Sequence, residues 1–150
     1  MSNNILKIIF QDPCFVPSQA SLERVTNELA VYLSKRKEDI QVKITDEVRF
    51  VDPGANLHEI KCNFCSSIID IEWWQEAVDQ VYEGHFKSLT VITPCCHQVT
   101  SLNSLVYDWT AGFARLSIEI FDPKVDLTQE QQNKLETILG TEIRKIWSHY

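Results

Sequence analysis

The chain has 150 residues, 44% of them hydrophobic and 23% charged, with a formal net charge of −7. That composition excludes a disordered chain, and no apolar run approaches the roughly 18 residues a membrane helix needs. The acidic balance argues against nucleic acid as a partner, because the average field repels phosphate backbones.

The N-terminus, Met1-Ser2-Asn3-Asn4, lacks the basic start of a secretory signal, and residues 5–10 are too short for its apolar core. A cytoplasmic location is therefore expected, with the five cysteines reduced. Residues 5–10 read as a short buried strand. Pro13 and Pro17 bracket a turn that holds Cys14, expected as a small half-buried residue. Ser18 is placed to cap a helix over about 19–36, with Leu22, Val25, Leu29, Ala30 and Leu33 at helical spacing. Lys35-Arg36-Lys37 at its end is read as a solvated turn that complements the helix dipole. Ile40, Val42 and Ile44 alternate with polar residues as in a half-buried strand. A second strand piece, residues 47–51, runs into the turn Asp52-Pro53-Gly54.

The middle of the chain, about 57 to 108, reads as an inserted subdomain. Two hairpin-like turns carry Cys62-Asn63-Phe64-Cys65 and Pro94-Cys95-Cys96-His97. Between them Asp70 caps a helix near 71–83 with Ile71, Trp74, Val78 and Val81 on one stripe, and Gly84 is placed to end it in the left-handed conformation. After the insertion, residues 113–121 alternate as a strand with one face on the core. Thr128-Gln129-Glu130-Gln131 is a capping box that opens a helix expected over about 128–147, including Ile143 and Ile146. The expected fold is one α+β domain: a mixed or antiparallel sheet of five or six strands, two flanking helices, and an inserted zinc-ribbon-like knuckle with a third helix.

The chemistry concentrates in the thiols. Two pairs of soft ligands closing a loop of about thirty residues point to a tetrahedral structural zinc site. The two-residue gap lets one turn aim Cys62 and Cys65 at the same ion. Adjacent cysteines on an extended strand face opposite ways, so Cys95 and Cys96 share a metal only where the chain turns. Cys95 with His97 is the alternative, which gives a three-cysteine, one-histidine set. Reduced core cysteines and a redox dithiol at Cys62 and Cys65 are the readings without a metal. A four-sulfur shell leaves no open position for water, so Zn2+ is expected to be structural and the chain is not expected to be an enzyme. No phosphate-binding loop, nucleophile elbow or H-E-x-x-H helix occurs. His58-Glu59 reads as a solvated strand-edge pair, and Asp46, Glu47 and Asp52 as a polar edge and turn. Trp73, Tyr107, Asp108 and Trp109 are candidates for a partner-binding surface, with packing as the competing role for the aromatics.

Several segments taken in order resemble an uncharacterised bacterial family: residues 46–52, the Cys62/Cys65 turn, Trp73-Trp74, Pro94-Cys95-Cys96, residues 101–109, Gly112-Phe113-Ala114-Arg115 and the ending Ile146-Trp147-Ser148-His149-Tyr150. That family has a Cys-Pro-x-Cys-Gly first knuckle and a Pro-Cys-Cys-Gly second one, which implies the four-cysteine ligand set. This chain departs from the pattern at Asn63, Ser66 and His97. Relatives are often labelled sugar-transporter ATPases, a label that a chain without a phosphate-binding loop does not support. The functional expectation is a non-enzymatic cytoplasmic zinc-binding protein that acts through protein contacts. A toxin-neutralising immunity-type protein, a nucleic-acid-binding zinc ribbon and a zinc hydrolase are the alternatives.

Overall fold

The computed structural model describes residues 4–150. Met1, Ser2 and Asn3, part of the segment read for a targeting signal, lie outside the described residues. The chain forms β1 (Asn4–Phe10), α1 (Gln19–Tyr32), β2 (Ile40–Val51), β3 (Ile60–Lys61), α2 (Ile71–Glu83), β4 (Thr90–Ile92), β5 (Val99–Ser101), β6 (Val106–Tyr107), β7 (Gly112–Phe121), α3 (Gln129–Leu139) and β8 (Ile143–His149). This is an α+β domain with antiparallel sheets. Instead of one sheet of five or six strands there is a four-stranded sheet ordered β2-β7-β1-β8 and two two-stranded pieces, β3-β6 and β4-β5.

All three helix starts follow from local chemistry. Ser18, Asp70 and Thr128 each accept a backbone N–H from the first turn, and Thr128 completes its box with Gln131. The ends differ from the sequence expectations. α1 stops at Tyr32, where Ser34 takes a φ of 52°. α2 ends at Gly84 with a φ of −82°, and the positive angles fall instead on His85 and Phe86. α3 stops at Gly140, whose left-handed φ of 74° satisfies the last turn, so the expected helix to 147 is wrong. Ile143 and Ile146 then lie on opposite faces of β8, which pairs with β1 along its whole length.

Two large hydrophobic clusters and a small third one divide the interior. The first packs α1 and α3 on one face of the four-stranded sheet through Leu6, Ile8, Leu29, Ile118, Ile120 and Leu135. The second gathers Val48, Ile60, Trp74, Leu102, Tyr107 and Phe113 around α2 and the thiols. β2 serves both because its register with β7 shifts between Ile44 and Arg49. That bulge re-aims the strand, so Ile40 packs on the first cluster while Val48 and Phe50 pack on the second. Arg49 fastens the bulge, donating to the carbonyls of Ala114 and Arg115 and to Ser117 Oγ. Val42 and Ile44 remain exposed because β2 is an edge strand.

Candidate metal centre

The two cysteine turns share one backbone design. In the first, Cys62 N–H donates to Ser67 O and Ser66 N–H to Cys62 O. In the second, Thr93 N–H donates to Gln98 O and His97 N–H to Thr93 O. Superposed by these bonds, Thr93 stands where Cys62 stands, Cys95 where Phe64 stands, and Cys96 where Cys65 stands. The first turn therefore offers its first and fourth residues as ligands and the second its third and fourth. Adjacent cysteines can converge because Cys95 and Cys96 sit within the turn itself, not on an extended strand.

His97 and Ser66 occupy the equivalent closing position and both are left-handed, with φ of 55° and 62°. A glycine fits that conformation without strain, and histidine is among the residues that tolerate it. Its geometry gives His97 the work of closing the turn. The group of ligand atoms that lie within 4.8 Å of one another is Cys62, Cys65, Cys95 and Cys96, and His97 is outside it.

The sulfurs interlock across the turns. Cys62 Sγ lies 3.7 Å from Cys96 Sγ, and Cys65 Sγ 3.4 Å from Cys95 Sγ. A tetrahedral thiolate site with metal–sulfur bonds of about 2.3 Å has edges of about 3.8 Å. The four sulfurs thus fit such a site and could hold a metal ion. Cys62 is buried in the second cluster and Cys96 is half-buried, whereas Cys65 and Cys95 face outward. Phe64 N–H donates to Cys62 Sγ, and Thr93 Oγ1 lies 3.3 Å from Cys96 Sγ.

As bare thiols Cys65 and Cys95 would titrate far apart. The Ser67 hydroxyl and backbone N–H, together with the Cys95 thiol, hold Cys65 down at about 6. Desolvation, followed by the neighbouring Cys65 and Cys62, pushes Cys95 up to about 12. Thiolates this close repel one another, so all four ionise together only around a cation.

The other candidates are dispersed. Tyr107 is only 8% exposed; it accepts from Trp74 Nε1 and donates to Leu102 O, and burial pushes its phenol pKa up. Asp108 accepts from His58 and Trp109 backbone N–H groups. Burial raises its pKa, but these donors more than offset that and hold it below the usual carboxylate range. Trp73 borders a cavity of about 500 Å3 between α2 and the β4-β5 hairpin, with Glu76, Ala77, Ile92 and Val99. Trp109 borders a different one, beside Asn56 and Trp147. Asp46, Glu47 and Asp52 form no common site: Glu47 pairs with His85, and Asp52 with Lys7. Cys14 is exposed, not half-buried, because the turn after β1 carries its side chain outward.

Sequence reasoning missed one charged cluster altogether. Lys7, Ser117 and Glu119 are buried on the sheet face opposite α1 and α3. The only sequence signal was a lysine interrupting an apolar strand, Ile5-Leu6-Lys7-Ile8-Ile9. Among the described residues no helix is long and apolar enough to cross a membrane. No protein-family model, curated protein or solved structure matches this chain.

Proposed function

We propose that the chain is a zinc protein whose metal is structural and which acts through contacts with another protein. The observation that carries the reading is the closed set of four cysteine sulfurs. Four thiolates suit zinc in the reducing interior of a cell, and they leave the ion no position for water or substrate. The ion then serves the second cluster, clamping the two turns against Cys62 and the rest of that core.

The surface this clamp holds in place suits a partner. Phe64, Ile68, Ile71, Ile92, Val99 and Val106 are all exposed around the two turns and α2, and the Trp73 groove lies among them. Beside it α2 exposes Glu72, Glu76, Asp79 and Glu83, and no lysine or arginine occurs between Lys61 and Lys87. An apolar groove with an acidic margin fits a partner that is basic at the contact. Neutralisation of a basic toxin is the second reading, favoured by the same acidic row.

Affinity capture from a lysate of the source organism, run in parallel with the Trp73→Ser and Val99→Ser variants, tests the proposal. A stoichiometric protein partner lost in both variants is expected. Absence of such a partner, together with hydrolase activity in a broad substrate screen, would overturn it.

A further inference from the structure

The face of the four-stranded sheet opposite α1 and α3 carries a second, chemically different site. A cavity of about 310 Å3 is lined by Lys7, Lys43, Arg49, Asp52, Glu119 and Tyr150. Two of its charged groups are deeply buried, Lys7 at 6% and Glu119 at 5% exposure. Burying ionised side chains is costly, and an apolar filling of the same shape is usually as stable or more so. The same interior supplies that filling elsewhere: Ile9, Val51, Ala114 and Ile146 form a small apolar cluster. The charges near Lys7 are therefore not needed merely to cover the sheet.

Their pairing defines what the cavity lacks. Lys7 Nζ lies 3.5 Å from Asp52 Oδ1 and donates to Tyr150 Oη at 2.6 Å. Lys43 Nζ lies 3.2 Å from Glu119 Oε1. Arg49 has no ion pair among the described residues; its guanidinium meets only carbonyl and hydroxyl oxygens. Three cations face two carboxylates, which leaves one positive charge over. Asp52 and Glu119 meanwhile offer acceptor oxygens at the same cavity.

We propose that this cavity binds a small acid of amino-acid size, whose carboxylate answers the surplus cation and whose ammonium or hydroxyl group meets Asp52 and Glu119. The volume stands at the small end of ligand pockets, which run from roughly 300 Å3 upward, so a nucleotide is too large. The site is separate from the thiols, and its test does not depend on the metal reading.

Amide chemical shifts of the full chain as purified, recorded against glycine, L-serine, L-glutamate and inorganic phosphate, decide the matter. At least one amino acid should give saturable shifts around Lys7, Arg49 and Tyr150, with a Kd of about 1 mM or tighter. Lys43→Ala, at a half-exposed rim position, should weaken that binding about tenfold with the rest of the spectrum unchanged. Glu119→Gln should favour a simple carboxylate such as acetate over the zwitterion. No saturable shift with any amino acid up to about 20 mM would overturn the site, and saturation by phosphate alone would overturn the ligand class.

Discussion

Tyr107 offers the sharpest test of where the molecule's aromatic residues do their work. Its hydroxyl accepts from Trp74 Nε1 at 3.1 Å and donates to Leu102 O at 2.7 Å, all inside the second cluster. Tyr107→Phe keeps the ring but leaves an indole N–H and a carbonyl without partners. Each stranded buried group costs about 1–3 kcal/mol, so a loss of about 2–3 kcal/mol is expected. In a chain of this length that lowers Tm by about 5–10 °C. Trp74→Phe removes the same donor and some volume beside Phe50, whose ring centroid is 5.0 Å away. Because the two changes share one hydrogen bond, the double variant should be less destabilised than the sum, by about 1 kcal/mol. Urea denaturation of the metal-saturated proteins measures all four corners of the cycle. A Tyr107→Phe protein within about 0.5 kcal/mol of wild type, or strictly additive costs, would refute the buried relay.

Three further outcomes follow from the geometry. Ser66→Gly and His97→Gly relieve left-handed strain, and each should raise stability by about 1 kcal/mol without loss of metal; a destabilised His97→Gly protein would point to a ligand role. Gly54→Ala should cost about 2–5 kcal/mol by thermal denaturation, since Gly54 has a φ of 64° and its new Cβ would overlap the His149 carbonyl oxygen. Burial pushes the Asp52 carboxyl up, but the Tyr150 hydroxyl, the Lys7 ammonium and the Gly54 N–H more than offset this and hold it below its usual value. Its contribution is therefore present above the unfolded carboxylate pKa of about 3.9 and is lost as pH falls through the lower folded value. The stability gap between wild type and Asp52→Asn should be constant above about pH 5 and close below pH 4; a gap that widens in acid would contradict the assignment.

What the sequence made legible was local. Ser18, Asp70 and Thr128 announced their helices because a cap is read within four residues. The cysteine pairs announced a group that could hold a metal ion for the same reason. β8 was misread because Ile143 and Ile146 are three apart, a spacing that suits a helix as well as a strand buried on both faces. Gly140 was the missed signal: its left-handed conformation ends α3 and frees the chain to return along β1. That Cys96 and not His97 stands with the other three sulfurs follows from how the second turn folds, which spacing alone does not encode. The Lys7 cluster was invisible because its members come from β1, β2, β7 and the C-terminus, and only the sheet's register brings them together.

X-ray absorption at the zinc edge, on protein purified without added metal, reads the ligands of the proposed ion themselves. About one zinc per chain is expected, with four sulfur neighbours at about 2.3 Å, a set that His97→Ala leaves intact and Cys96→Ser does not. A nitrogen or oxygen neighbour in the first shell, or a chain that folds fully with no metal at all, would contradict it.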